Sequence, residues 1–225
     1  MKHYSTTACL AALLMAGGAA QADLLITGVF DAPLPGGLPK GIEVYATQNI
    51  PDLSIYGVET VGNGGVSNGV PDAVLPAVSL NAGDFYYLEH GDGTMFTQWF
   101  GFAPDFASVP GAGVSHNGDD VIIIYENGIV HDQYGETGVD GTGTAWESLD
   151  GWAYRNNNSS ANGGAFVASN WFYSGPDAWD GDDLVDDTGT NAGSSAVMPI
   201  GSYVPEPASA AVMSLFALAA LRRRV

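Results

Sequence analysis

The chain has 225 residues, with 25 carboxylates against 6 lysines and arginines, a formal charge of −19 and a pI near 4.1. Only 14% of residues are charged, whereas 46% are hydrophobic and 11% aromatic, so the chain can bury a core and is not a disordered acidic polymer. Nor does it offer the basic surface that a nucleic-acid binder held by phosphate contacts requires.

The first 22 residues read as a signal peptide. Lys2 and His3 form a weakly basic start, Ala8 to Ala16 an apolar stretch, and Ala20-Gln21-Ala22 a small-x-small site. Cleavage after Ala22 leaves Asp23 as the new terminus and removes Cys9, the only cysteine. Between Asp23 and Tyr203, Lys40 and Arg155 alone oppose 24 carboxylates, a net charge of −22. An acidic body of this kind suits screened, salty surroundings and divalent cations rather than nucleic acid.

Residues 23–187 form the body. Short β-prone runs alternate with Gly, Asn, Asp and Pro, the pattern of an all-β sandwich. Strands are predicted at Leu24–Phe30, Ile42–Thr47, Leu53–Val61, Phe85–His90, Val121–Tyr125 and Ile129–Tyr134. A later pair is predicted around Trp152–Arg155 and Phe166–Phe172. Asn127-Gly128 is the strongest hairpin signal, because both residues tolerate positive φ. No stretch of the body sustains helical periodicity.

Several groups invite chemistry. Gly65-Val66-Ser67-Asn68-Gly69 has the G-x-S-x-G spacing of a nucleophile elbow, but Gly62-Asn63-Gly64 before it and Pro71 after it imply a loop, not a strand-to-helix turn. His90, His116 and His131 each have an acidic neighbour, yet lack the i, i+4 spacing of a helical zinc pair, and Asp132 reads as a turn-fixing residue. Asp177, Asp180, Asp182, Asp183, Asp186 and Asp187 must be hydrated or neutralised; calcium is the ion such oxygen ligands take, and a solvated acidic edge is the alternative. Among Trp146, Trp152, Tyr154, Trp171, Phe172, Tyr173 and Trp179, exposed rings would stack on sugars and buried ones would plug the sandwich. Residues 188–203 are small and polar, as in a flexible linker.

The last segment, 204–225, reads Val204-Pro205-Glu206-Pro207-Ala208-Ser209, an apolar run to Leu221, then Arg222-Arg223-Arg224. The prolines hold an extended stretch before a helix can start. Ala208 to Leu221 is 14 residues, about 21 Å as helix, short for a hydrocarbon core of about 30 Å. The arginines would keep the far end cytoplasmic. This order closely resembles the PEP-CTERM sorting signal of Gram-negative bacteria. The resemblance implies a short transmembrane helix, recognition by an exosortase, removal of the tail and delivery to the cell surface or extracellular matrix.

Pieces of the body resemble the lamin-tail domain, an immunoglobulin-like β-sandwich. They include Leu24-Leu25-Ile26-Thr27-Gly28-Val29-Phe30-Asp31, Gly41-Ile42-Glu43-Val44-Tyr45, Ile50-Pro51-Asp52-Leu53-Ser54-Ile55-Tyr56-Gly57, and Asn117-Gly118-Asp119-Asp120-Val121 leading into Gly128 to Asp140. The module is similar to one found ahead of extracellular nucleases, whose chemistry belongs to a separate domain; residues 188–225 read as a linker and sorting tail, so the resemblance implies a fold and a setting, not a reaction. Three readings stay open: a non-catalytic exported protein serving structure, adhesion or polymer binding; a calcium-dependent carbohydrate-binding module acting on extracellular polysaccharide; and a secreted hydrolase using loop carboxylates. The processing partners of all three are signal peptidase and exosortase.

Overall fold

The computed structural model describes residues 23–161, 163–182 and 189–206. Two antiparallel sheets form an all-β sandwich. The first contains β1 (Leu24–Leu34), β2 (Leu38–Ala46), β5 (Phe85–Glu89), β8 (Gly151–Arg155) and β9 (Trp171–Tyr173), in the order β5-β2-β1-β8-β9. The second contains β3 (Tyr56–Val61), β4 (Ala73–Val74), β6 (Val121–Glu126) and β7 (Ile129–Tyr134), in the order β4-β3-β6-β7. Asn127 and Gly128, at φ 50 and 78, close the β6–β7 hairpin with Glu126 opposite Ile129, as their tolerance of positive φ predicts.

Leu24, Ile26, Ile42 and Val44 from the first sheet meet Tyr56, Val58, Ile122 and Ile124 from the second in the inner core. A register shift between Ile26 and Gly28 changes which side chains of β1 face inward. Leu24 and Ile26 point into the inner core before it, and Val29 after it. Leu25 and Phe30 therefore face outward and join a second core on the outer side of the five-stranded sheet.

This outer core holds Tyr45, Phe96, Trp99, Trp152, Tyr154, Trp179, Met198 and Tyr203. Phe96 and Trp99 come from α1 (Thr94–Phe100), a seven-residue helix in a body whose sequence shows no helical period. Two turns are too short to display one. Its limits are Gly93 and Gly101, both left-handed, and the Gly101 amide closes the last turn onto the Thr97 carbonyl.

Three expectations are corrected. The run Leu53–Val61 begins as a 3-10 turn at Leu53–Ile55, because the Asp52 carboxylate accepts from the Ser54 amide, and only Tyr56 onward is strand. The predicted strand Phe166–Phe172 is a strand only from Trp171, after a 3-10 turn at Ala168–Asn170. Residues 189–203, expected as a free linker, lie on the outer face with Asn191, Met198 and Tyr203 buried. No helix of the described residues is long and apolar enough to cross a membrane; the signal residues Ala20 and Ala22, and the tail with Pro207, Arg222, Arg223 and Arg224, lie outside them.

Both cations of the body are spent inside it. The guanidinium of Arg155, 3% exposed, lies 2.6 Å from Asp132 Oδ2, donates to the Ile26 carbonyl and sits 4.6 Å over the Trp171 ring. Asp132 also accepts from the Ile26 amide at 2.8 Å. Asp132 thus ties β7 to β1 and β8 across the sandwich instead of fixing a turn. Lys40 pairs with Asp31, and their side chains are only 12% and 3% exposed.

Candidate functional site

The acidic run does not act as one group. Asp177 and Asp180 converge with Asp150, one carboxylate oxygen from each lying within 4.8 Å of the others. The Asp177 amide donates to the Leu149 carbonyl and the Trp179 amide to the Asp150 carbonyl, which folds the run back onto this corner. Asp182 turns elsewhere and accepts from the Ser195 amide and hydroxyl, both at 2.9 Å. Asp183, Asp186 and Asp187 lie outside the described residues. Asp150 is far from the run in sequence; an Asp-Gly turn with Asp150 at φ 43 was its only local signal.

The histidines are separate. His116 is fully buried; its Nε2 donates to the Gly41 carbonyl at 3.1 Å, and its Nδ1 accepts from the Gly118 amide. Burial pushes its pKa down to about 4, so it is a neutral packing group. His131 pairs through Nδ1 with Glu126 at 3.2 Å and meets Tyr56 edge-on. His90 lies 3.5 Å from the Ser115 hydroxyl through Nε2.

Ser67 is bound to a carboxylate rather than a histidine. Its hydroxyl donates to Glu59 Oε2 at 2.6 Å and lies 2.5 Å from the Tyr125 hydroxyl, which itself donates to Glu59. The Gly69 amide donates to Ser67 Oγ, and the Asn68 amide to Glu59 Oε1. This is a clasp that holds the 62–72 loop over the four-stranded sheet, in which the hydroxyl meets a carboxylate and a phenol rather than the histidine of an elbow serine.

A second clasp holds the C-terminal segment. Glu43, fully buried on the outward face of β2, accepts from Thr27 Oγ1 at 2.6 Å, the Tyr154 hydroxyl at 2.8 Å and the Gly201 amide at 2.6 Å. The Tyr154 oxygen accepts in turn from the amides of Ser202 and Tyr203. Upstream, Asn191 brackets Met198 through both its amide and carbonyl, and Trp152 and Trp179 both donate to the Ala196 carbonyl. The Met198 methyl fills the space over Gly28, where a Cβ would approach it to 2.5 Å. Val204 is the last of the described residues whose backbone is held: its amide donates to Asn157 Oδ1 and its carbonyl accepts from the Asn158 amide. Glu206 then emerges exposed. Burial raises the Glu43 carboxyl to about 7, against the lowering effect of its three donors.

Most of the late aromatics are plugs: Trp146, Trp152, Tyr154, Trp171 and Trp179 are all buried. Tyr173 is half-buried against the inner core, and Phe172 is the exposed ring, 58% exposed and stacked on Trp152. It borders a cleft of about 260 Å³ whose polar rim includes Asn156, Asn157 and Ser202. A ring platform beside amides and a hydroxyl is chemically able to hold a sugar. No protein-family model, curated protein or solved structure gives a significant match to the chain.

Proposed function

We propose that the chain is an exported cell-surface or extracellular-matrix protein. In this reading signal peptidase cuts after Ala22, and Val204-Pro205-Glu206-Pro207, the apolar run and Arg222-Arg223-Arg224 act as a PEP-CTERM-type signal read by an exosortase. The lamin-tail-like, immunoglobulin-like body then serves a non-catalytic structural, adhesion or polymer-binding role.

The observation that supports this most is where the sandwich ends. Every backbone group of Val204 is engaged by the domain, whereas Glu206, two residues on, is exposed. The folded body therefore holds Val204, the first residue of the motif, and leaves Glu206 exposed, which suits recognition by a processing enzyme. The test is fractionation of producing cells. Glu206→Ala, and separately deletion of the three arginines, should hold the protein in the inner membrane; normal surface delivery of both variants would refute the reading.

A carbohydrate-binding module is the second reading, favoured by the Trp152–Phe172 stack and its polar rim. Calcium enters it as a test, since exposed carboxylates such as Asp177 and Asp180 also converge without an ion. A glycan array with and without calcium separates the two readings: calcium-dependent retention lost in Phe172→Ala supports the module.

A further inference from the structure

Asp31 and Lys40 are cross-strand partners on β1 and β2. By alternation they share the inward side with Val29 and Ile42, at one end of the sandwich. Lys40 Nζ lies 3.5 Å from Asp31 Oδ1 and donates to Asn117 Oδ1 at 2.9 Å. Asn117 sits on the loop that enters β6 of the opposite sheet. A primary amine, a carboxamide and a nearly dry carboxyl thus meet where the two sheets approach. Asp31 Oδ1 has no hydrogen bond beyond the ion pair. Buried His116, bonded to the Gly41 carbonyl, walls the same corner.

We propose that Lys40 and Asn117 become joined by an intramolecular isopeptide bond, with Asp31 carrying the protons. The reaction needs no oxidant and no cofactor. A proton passes from the Lys40 ammonium to the Asp31 carboxylate, leaving a neutral amine beside a carboxylic acid. The Nζ lone pair attacks Cγ of Asn117 while Asp31 protonates Oδ1, giving a tetrahedral adduct. As the adduct collapses, the attacking nitrogen and the protonated Oδ1 give up their protons through Asp31, the Cγ–Nδ2 bond breaks, and Nδ2 takes up both protons and leaves as ammonium, one ammonia lost from the mass of the chain. One amide nitrogen replaces another, and Asp31 is returned.

Proximity supplies most of what an uncatalysed amine–amide exchange lacks, because both reactants are held by the fold within hydrogen-bond distance. Desolvation of Asp31 contributes further, while the Asn117 amide itself is exposed. Burial raises the Asp31 carboxyl to about 7 in spite of the neighbouring ammonium, which brings the acid form within reach at neutral pH. The bond would tie β2 to the other sheet across a sequence separation of 77 residues. The body holds no cysteine, so it has no disulfide with which to make such a link.

Peptide mapping of the denatured full-length protein decides the matter. Lys40 and Arg155 are the only tryptic sites between Asp23 and Tyr203. The expected result is complete resistance to cutting after Lys40, with one ammonia missing from the peptide that ends at Arg155. Lys40→Arg should restore the cut and the full mass, and Asp31→Asn should leave Lys40 unmodified and cleavable. Free cutting after Lys40 at full mass would overturn the proposal. So would loss of water instead of ammonia, which would put the bond on a carboxylate. Ammonia loss with Lys40 still cleavable would also overturn it, since cyclisation at Asn117-Gly118 then explains the mass.

Discussion

The two outer faces of the sandwich carry the same device and use it differently. On each, a buried glutamate of a strand binds a tyrosine hydroxyl of another strand and one backbone amide of a covering segment. Glu59 with Tyr125 holds the 62–72 loop, and Glu43 with Tyr154 holds residues 198–204. The difference lies in what else the segment brings. The loop points Val66 and Val70 at solvent, 75% and 61% exposed, whereas the C-terminal segment drives Met198 and Tyr203 into the outer core at 1% and 3%. Similar polar chemistry therefore fastens an ornament in one place and closes a core in the other. Hydrogen bonds select the path of the chain, and burial of apolar area supplies most of the stability.

That contrast can be broken most directly at Tyr203. Its ring meets Tyr45 edge-on and its hydroxyl donates to the Ser159 carbonyl. Tyr203→Ala should cost about 3–5 kcal/mol by chemical denaturation, and Met198→Ala about 2–4 kcal/mol. Losses below about 0.5 kcal/mol for both would mean that the segment is not part of the domain.

Glu43 should respond to pH. Its folded pKa, about 7, lies above the ordinary 4.5, so the folded state holds the proton more tightly. Its contribution is complete below about pH 4.5 and declines as pH rises towards 7. Asp31 shifts in the same direction, whereas the lowered pKa of His116 costs stability as pH falls from about 6.5 towards 4. Comparison with Glu43→Gln isolates the first effect. The variant should lose the part of the pH dependence between 4.5 and 7 that amounts to about 1–3 kcal/mol; superimposable stability profiles for the two proteins would contradict this assignment.

On the opposite face Ser67→Ala should cost about 1 kcal/mol, the net worth of a partly buried hydrogen bond, and should loosen the 62–72 loop in hydrogen exchange. An equal or larger loss than at Tyr203 would reverse the ranking of the two clasps. The smallest effect belongs to Val66→Ser, within about 0.5 kcal/mol, because the side chain is already in water.

The architecture was legible where local rules govern it. Alternating β-prone runs placed β1, β2, β5, β6 and β7, and Asn127-Gly128 placed a turn, because each depends on residues within a few positions of one another. The α1 helix left no trace, since Phe96 and Trp99 alone cannot set a period. The spacing of Ser67 resembled a nucleophile's, but its surroundings, Glu59 and Tyr125, were decided by strand pairing. The acidic run was visible as charge, yet its partner Asp150 was not.

Composition and order by themselves determined an acidic body between two terminal segments of different character, with only two cations in it. Tertiary structure alone decided that both cations face inward, Lys40 to Asp31 and Arg155 to Asp132, each matched by a buried carboxylate. It also decided that a stretch as small and polar as GTNAGSSAVMPIGSY is structural. Such a stretch has few side chains to announce its fold. Its backbone amides are what Glu43 and Tyr154 bind, and amides are the one feature every sequence shares.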